Sequence, residues 1–414
     1  MSEKQRPILV PQYMKKFRCI GPACEDSCCL GWRVNIDRET YRKYKRSGDE
    51  ELKPLFEKYV KRNRASTHTD ADYAKVVLLK DNRCPFLNEE KFCKIQLKNG
   101  EEYLSDVCAT YPRIVNILNG VLERSATVSC PEVARLALIE HKGIEFDEDM
   151  EPSSIRNIIK NNINTHDLKF NLKPQKYLWE LRIFTITVLQ DRNYLLWERL
   201  VILGMFYQKL QDYIENKMID EIPNLIASYT NLVEEGIFRE NLASIPVQYN
   251  IQMELLKEIA DERYFMGIPS KRYLECFSEC LSGIQYTAES KVEDIGLRYQ
   301  QAYTDYYEPF MKEHEYILEN YLVNYVFGTL FPFTGEKNIF DSYMTMVLHY
   351  ALIKMFLIGM AGFHKGLTIE LVIKLIQSFS KTVEHSKAYV VRIAELMKKN
   401  NFNKMAYMTI LIKN

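Results

Sequence analysis

Cysteines crowd one end of this chain and limit how that end can fold. Eight of the ten cysteines lie within the first 130 of the 414 residues, and four of those eight fall in the single stretch "CIGPACEDSCC". Thiols at this density are typical of a metal site or of a disulfide framework. The eight candidate ligands are Cys19, Cys24, Cys28, Cys29, Cys84, Cys93, Cys108 and Cys130.

The start of the chain bears on the choice between metal and disulfides. The segment "MSEKQRPILVPQYMKKFRC" contains no apolar run of the length that a secretory signal needs. We therefore expect a cytoplasmic protein, in which thiols stay reduced and clustered cysteines favour metal binding. Buried free thiols are the alternative, because free cysteine is among the most buried residue types. The spacing does not distinguish zinc from iron, or one site from two. The separate pair Cys276 and Cys280 is predicted to lie in the core.

Charge and hydropathy argue against two classes of partner. The 55 basic and 55 acidic side chains balance, so global charge gives no reason to expect nucleic acid as a partner. The most apolar run, Tyr343 to Phe363, is nearly long enough to cross a bilayer, but His349 and Lys354 interrupt it. A charged side chain at the membrane centre costs about 2.5–3.5 kcal/mol on insertion scales. This run is therefore predicted to be a buried core helix and not a membrane span.

The hydrophobic pattern changes along the chain and predicts a mainly α protein. Residues 1–145 are predicted to form a cysteine-rich, metal-binding domain with short strands, and residues 146–414 a larger all-helical domain. The acidic stretch "HKGIEFDEDMEPSS" lacks periodicity and is predicted to be a linker. Beyond it, Thr368 is predicted to cap a helix. An amphipathic helix is predicted from a stripe at spacings of three and four, formed by Leu196, Leu200, Leu203, Tyr207 and Leu210.

An ordered set of sequence words resembles the flagellin lysine-N-methylase family of the FliB type. The words are "FRCIGPACEDSCCLGWRVNID", "CPFLNEEKFCKIQ", "YLSDVCATYPR" and "SCPEVARLAL", followed much later by "ENYLVNYVFGTLFPF" and "VEHSKAYV". The first part is also similar to zinc- or iron-chelating proteins with a CxxCxxCC-like signature. The resemblance therefore covers nearly the whole chain.

The resemblance implies methyl transfer from S-adenosylmethionine to the ε-amino groups of flagellin lysines. It also implies a 4Fe-4S cluster held by the N-terminal cysteines, with zinc as the alternative. A non-catalytic metal-binding or metal-carrier protein with a helical interaction domain is the rival interpretation. The common radical motif CxxxCxxC is only half present, since Gly31 stands where its third cysteine would be. Radical and polar transfer both stay open, and at least one ligand is expected from the later cysteine segments.

Four further residues are candidates for the reaction. His385 is a candidate base toward the substrate amine, or else a helix-end histidine with structural hydrogen bonds. Arg113 is a candidate for binding the methionine carboxylate of the cofactor through a bidentate pair, or else a surface residue or part of a salt bridge. Asn320 and Asn324 share one helical face and are candidates for a polar cofactor pocket, or else satisfied structural amides.

Overall fold

The computed structural model describes residues 4–31, 34–65, 69–267, 270–287, 289–336, 338–400 and 402–414. Helices account for 59% of the chain and strands for 11%, with the small sheets near the N-terminus. The predicted fold class is therefore confirmed, although its metal-binding element stays a prediction. The chain forms two compact units. The first unit comprises Met1–Val133 and Phe146–Asn162, and the second comprises Ala134–Glu145 and Ile163–Asn414.

The segment predicted to be a linker is instead a strand of the first unit, so that prediction is wrong. Phe146–Pro152 pairs antiparallel with Gln5–Pro11 along its whole length. The physical reason is a buried ion-pair cluster, in which the Glu151 carboxylate lies 2.7 Å from Arg6 and 2.6 Å from Arg124. The predicted domain boundary after residue 145 stays a prediction.

Two sheets organise the first unit. The strands are β1 Gln5–Pro11, β2 Asn35–Ile36, β3 Val60–Arg62, β4 Ala74–Val76, β5 Arg113–Leu118, β6 Val121–Ala126, β7 Phe146–Pro152 and β8 Ile159–Ile163. The larger sheet has the strand order β7-β1-β6-β5-β8, with β1 and β6 parallel and the β1–β7 and β5–β6 pairs antiparallel. The smaller sheet has the order β2-β4-β3 and is antiparallel.

Short helices surround these sheets, and the apolar core beside the small sheet is modest in size. That core includes a stacked pair of rings, Tyr44 and Phe56, with centroids 4.0 Å apart, and Cys84 and Cys93 pack against it. The helices are α1 Tyr13–Lys16, α2 Arg38–Lys45, α3 Leu52–Tyr59, α4 Lys94–Asn99, α5 Asp106–Thr110 and α6 Pro131–Leu138, which continues into the second unit.

The rest of the second unit is helical. Two π-helical turns interrupt its helices, at Tyr303–Tyr307 and Ser380–Glu384. The helices are α7 Leu178–Gln190, α8 Leu196–Glu215, α9 Ile222–Glu234, α10 Arg239–Ala243, α11 Tyr249–Phe265, α12 Lys271–Gly283, α13 Val292–Ala302, α14 Glu308–His314, α15 Tyr316–Thr329, α16 Ile339–His364, α17 Ile369–Phe379, α18 Lys387–Lys399 and α19 Met405–Ile412.

The periodic patterns of this unit are confirmed. Every member of the predicted stripe on α8 is fully buried. The Thr368 side chain accepts a hydrogen bond from the Leu371 N–H at 3.3 Å, which makes it the predicted N-cap of α17. Cys276 and Cys280 are buried in α12, as predicted. The 3.6-residue period thus identified both the elements and the faces that pack.

Helix α16 is the central core helix of the second unit. It is long and apolar enough to cross a membrane, yet 94% of its most apolar window is buried inside the protein. The prediction of a buried core helix is therefore confirmed. His349 and Lys354, which interrupt its apolar run, are accommodated differently. Lys354 donates a hydrogen bond to the Ile412 carbonyl at 2.9 Å, and burial lowers the pKa of its ammonium to about 7. Burial lowers the pKa of His349 to about 4.

Candidate functional site

Backbone pairing joins the first cysteine stretch to the second. The Cys84 N–H donates to the Cys29 carbonyl at 2.9 Å, and the Gly31 N–H donates to the Asn82 carbonyl at 3.0 Å. Leu30 and Arg83 form an isolated β-bridge between these two bonds. The segment around Cys28 and Cys29 is thereby held against the segment that begins at Cys84, although they lie more than fifty residues apart in the sequence.

Cys84 and Cys93 are brought together by a tight loop. The Leu87 N–H donates to the Cys84 carbonyl at 3.1 Å, and Leu87 forms a bridge with Cys93. Burial raises the pKa of the Cys84 thiol to about 12, against a hydrogen bond from the Phe86 backbone. Burial also raises the pKa of Cys93, which precedes α4 and receives hydrogen bonds from the first N–H groups of that helix.

Cys108 and Cys130 have a similar environment. Cys108 lies in α5, where burial raises the pKa of its thiol to about 11 and a hydrogen bond with the Ser105 side chain opposes the shift. Cys130 immediately precedes α6. Burial raises the pKa of its thiol to about 11, against hydrogen bonds from the Val133 and Glu132 backbone. Both sulfurs therefore have a hydrogen-bond donor that favours the thiolate.

Six of the eight cysteines interact electrostatically through Cys28. Burial is the main cause of the raised pKa of each of the other five thiols, and repulsion from a negative Cys28 adds to it in every case. Cys19, which is exposed like Cys28 and Cys108, precedes this group in the sequence. The five partners of Cys28 are Cys24, Cys84, Cys93, Cys108 and Cys130.

The chemistry of this thiol group suits a metal. Within the described residues, no group of three or more His, Cys, Asp or Glu side chains is placed to hold a metal ion. Thiols whose sulfurs receive backbone hydrogen bonds are nevertheless typical of thiolate-bound metals, and a bound cation would reverse the raised pKa values. The donor types fit, and metal binding by the eight cysteines stays a prediction.

Arg113 lines a cavity of about 260 Å³ in the first unit. Its guanidinium lies 5.7 Å from the centre of the Phe17 ring. Two other cations that line the cavity are already paired, Lys15 with Asp147 at 2.8 Å and Arg124 with Glu151 at 2.6 Å. The remaining lining residues are Ile8, Val10, Met14, Phe17, Arg18, Asp149, Met150, Glu151 and Ile155.

Two arginines of this cavity are not neutralised. In the part of the chain that the structure describes, neither Arg18 nor Arg113 forms an ion pair with a carboxylate, so the salt bridge considered for Arg113 is absent there. Their charges face a partly apolar wall that includes Phe17 and Met150. The cavity therefore suits a small group that carries a negative charge next to apolar surface, such as an amino-acid carboxylate.

Asn320 is held by a structural contact. Its amide nitrogen donates to the backbone carbonyls of Leu138 at 3.1 Å and Glu140 at 2.9 Å, where α6 ends. Its amide oxygen is buried and has no hydrogen-bond partner among the described residues. Asn324, one turn later on α15, is also buried. The cofactor-binding role of both residues stays a prediction, with the amide nitrogen of Asn320 already occupied.

His385 lies directly after a π-helical turn whose last residue is firmly bound. The Glu384 carboxylate accepts a hydrogen bond from Ser380 Oγ at 2.6 Å and another from the Tyr321 hydroxyl. Burial and the negative Glu384 raise the pKa of Tyr321. His385 itself is exposed. π-Helical turns occur often at functional sites, so this position is consistent with the predicted role of His385.

Sequence reasoning missed the polar partners of α15. Glu319 is buried and accepts hydrogen bonds from Arg199 at 2.8 Å and from Arg192 at 2.8 Å. Tyr321 lies two residues later on α15, and its hydroxyl donates a hydrogen bond to Glu384. Both residues belong to the word "ENYLVNY", so the signal was present, but their partners are 63 to 127 residues away in the sequence.

Comparison with known proteins assigns the family. Residues 182–411 match the FliB lysine N-methylase C-terminal domain. The chain is 24% identical over 398 residues to a lysine-N-methylase of Salmonella typhimurium, covering 92% of this chain and 93% of that protein. The corresponding figures for a lysine-N-methylase of Salmonella choleraesuis are 23%, 92% and 93%.

A shorter relative adds a flagellar connection. The flagellar biosynthetic protein FliU of Salmonella muenchen is 28% identical over 148 residues, which is 35% of this chain and 85% of that protein. No solved structure matches the chain. The matched domain spans more than half of the sequence and includes Glu319, Tyr321 and Glu384. The chain belongs to the FliB lysine N-methylase family.

Proposed function

We propose that this protein is a cytoplasmic lysine N-methyltransferase that transfers methyl groups from S-adenosylmethionine to flagellin. The observation that carries the proposal is the likeness to two lysine-N-methylases along 92% of the chain, together with the matched FliB lysine N-methylase C-terminal domain at residues 182–411. The likeness to a flagellar biosynthetic protein supports flagellin as the substrate.

The cavity around Arg113 is the proposed site for one end of S-adenosylmethionine. Cofactor pockets usually measure about 300–1,000 Å³, so a cavity of about 260 Å³ fits only part of this molecule. Arg113 and Arg18, which have no carboxylate partner among the described residues, supply the charge that would bind the methionine carboxylate. Met150 and Phe17 supply apolar contacts.

Methyl transfer requires a neutral amine. The lysine nitrogen forms a bond to the methyl carbon while the carbon–sulfur bond breaks, which leaves a thioether and requires that the amine lose a proton. We propose His385 as the acceptor of that proton. Glu384, fixed by Tyr321 and Ser380, anchors the backbone from which His385 projects.

The cysteine group is the proposed site of a 4Fe-4S cluster, with zinc as the alternative. Cys24, Cys28, Cys84, Cys93, Cys108 and Cys130 share an electrostatic neighbourhood and are the first candidates as ligands, before Cys19 and Cys29. A bound cluster would supply one-electron chemistry. Gly31 has a φ of +77°, a conformation that a cysteine adopts only with strain. That strain accounts for a glycine at this position and for ligands drawn from later segments.

The test combines metal analysis with methyl transfer. Anaerobically purified protein is expected to contain iron and sulfide, to absorb in the visible region, and to place methyl groups on lysines of purified flagellin when S-adenosylmethionine is added. Mass spectrometry of the flagellin detects the product. Zinc in place of iron with full activity would contradict the cluster, and metal-loaded protein that transfers no methyl group would contradict the enzyme.

Single substitutions separate the proposed roles. Cys28→Ala is expected to lose the metal, whereas Cys276→Ala, which changes a buried core thiol of α12, is expected to keep it.

Arg113→Gln is expected to weaken S-adenosylmethionine binding. Arg64→Gln, at an exposed arginine that does not line the cavity, is expected to leave this binding unchanged. Equal metal content in the cysteine variants, or equal cofactor affinity in the arginine variants, would contradict the corresponding role.

A further inference from the structure

A second and larger cavity lies in the helical unit. It measures about 560 Å³ and is formed by one face of α11 together with the start of α13 and the segment before α13. We call it the α11 groove. Its lining residues are Met253, Glu254, Lys257, Glu258, Asp261, Glu262, Phe265, Tyr286, Ser290, Val292 and Ile295.

The charge of the α11 groove is strongly negative. Four carboxylates and one ammonium line it. Lys257 forms an ion pair with Asp261, and Glu262 pairs with Arg392. Glu254 and Glu258 lie one helical turn apart and form no ion pair with any residue that the structure describes. Two adjacent carboxylates are therefore available to a cationic ligand.

Aromatic and aliphatic side chains form the other walls. Phe265 is 82% exposed, which is unusual for a side chain of this size. Val292 is partly exposed, and Met253 and Ile295 lie at the buried base of the groove. Apolar walls of this kind fit the four-carbon stem of a lysine, while the carboxylates at the opening fit its ammonium.

The groove already holds one lysine in this manner. The ammonium of Lys257 lies 4.6 Å from the centre of the Tyr286 ring and pairs with Asp261. An ammonium above an aromatic face is attracted by the ring as well as by the carboxylate. The same walls therefore offer a second ammonium a carboxylate and an apolar surface together.

We infer that the α11 groove binds a lysine-bearing segment of the protein substrate. The inference rests on the proposed function for the identity of that partner and on charge complementarity for its chemistry. An acidic segment or a nucleic acid would be repelled by Glu254 and Glu258. A divalent cation is not favoured either, because the described residues include no group of three or more acidic, histidine or cysteine side chains placed to hold one.

The direct test is a binding measurement that does not need methyl transfer. The probe is a short fluorescent peptide of serine, alanine and lysine, with the same peptide acetylated on its lysines as the uncharged counterpart. Anisotropy titration of the full-length protein is expected to give binding of the lysine peptide that weakens with salt. The acetylated peptide is expected to bind at least about tenfold more weakly, as the loss of two or three exposed ion pairs implies.

Matched variants locate the binding. The double variant E254Q/E258Q is expected to lower the affinity for the lysine peptide about tenfold, and Phe265→Ala is expected to lower it about threefold. The control E234Q/E235Q removes the same charge from an exposed part of the second unit that does not line the groove, and it is expected to leave affinity unchanged. Because Glu254, Glu258 and Phe265 are exposed, circular dichroism should report intact folding in all variants.

The outcomes separate this inference from the proposed function. Equal affinity of wild type and E254Q/E258Q, or equal binding of the acetylated peptide, overturns the groove assignment. If flagellin is methylated with the same KM by wild type and E254Q/E258Q, the function stands and the groove assignment fails. If the lysine peptide binds in the groove and no methyl group is transferred, the groove assignment stands and the proposed function fails.

Discussion

The two units of this protein are stabilised in different ways. Near its thiols the first unit has short strands, short helices and a modest apolar core, and it contains all eight of the predicted metal ligands. The second unit is organised around one long buried helix, α16, with polar residues enclosed by other helices. The difference indicates that the second unit depends on close packing and satisfied buried charges, whereas the first depends on local backbone geometry around its cysteines.

The largest expected effect is the loss of a buried charge in the second unit. Glu319 is 1% exposed and pairs with Arg199, which is 3% exposed. Glu319→Gln would leave the buried Arg199 guanidinium with only the Glu315 carboxylate, 3.8 Å away. Removing one partner of a buried ion pair typically costs about 3–5 kcal/mol. Urea denaturation is expected to show this loss. The control is Glu308→Gln, which breaks an exposed pair with Lys312 and should cost about 0.5 kcal/mol or less. Equal effects of the two variants would contradict the role of the buried pair.

Acid should weaken the second unit through His349. The pKa of this buried imidazole is lowered from 6.5 to about 4, so between these values the unfolded chain binds a proton that the folded chain does not. The contribution of His349 to stability is therefore complete above pH 6.5 and falls by about 1.4 kcal/mol per pH unit toward pH 4, or about 3 kcal/mol in all. Denaturation at a series of pH values measures the slope.

Substitution assigns that slope to its residue. His349→Leu is expected to remove most of the pH dependence between pH 6.5 and pH 4, because leucine cannot bind a proton. The imidazole that it replaces packs between the rings of Tyr325 and Phe379, each with its centroid 5.7 Å away. His166→Gln changes an exposed histidine of the same unit and should leave the slope as it is. An unchanged slope in His349→Leu would mean that another group titrates.

Helix packing in the second unit should be equally intolerant of added volume. A Cβ on Gly283 of α12 would overlap the carbonyl oxygen of Gly359 and lie 2.6 Å from the backbone nitrogen of Phe363, both on α16. Gly283→Ala is expected to cost about 3 kcal/mol, because backbone atoms cannot move aside as a flexible side chain can. Gly48→Ala, where a Cβ meets nothing within 4 Å, is the control for the first unit. Thermal denaturation that ranks the two variants equally would contradict the close contact.

The same contrast explains how much the sequence could predict. Helical periodicity identified α8, the Thr368 cap and the buried α16, because burial of one face and local capping are encoded within a few turns. The prediction of short strands in the cysteine-rich region is also confirmed. The acidic strand Phe146–Pro152 was misread as a linker, since its partners Arg6 and Arg124 lie far away in the sequence. Edge strands of this kind carry little local signal.

The candidate site was predicted in its residue types more than in its contacts. The cysteine segments were recognised from their sequence words, but the contact between the first two segments depends on the pairing of Cys29 with Cys84. The lack of a carboxylate partner for Arg113 among the described residues and the contact of Glu384 with Tyr321 depend on which distant residues reach them. Long-range pairing of this kind cannot be read from spacing.

The smallest expected effect tests the first unit at Gly31. A Cβ there would meet no described atom within 4 Å, so the φ of +77° is the obstacle to a side chain that the described residues show. Gly31→Ala is expected to cost about 1–2 kcal/mol of stability. Hydrogen exchange should then be faster at the amides of residue 31 and Cys84, which donate to the Asn82 and Cys29 carbonyls. The amides of α16 should exchange at an unchanged rate. Gly31→Cys, which completes the CxxxCxxC spacing, should carry the same cost and bind no additional iron, because the strained backbone does not favour a ligand at this position. An increase in bound iron in Gly31→Cys would mean that a cysteine at position 31 can bind iron despite its backbone conformation, and it would contradict the dependence of the first unit on local backbone geometry.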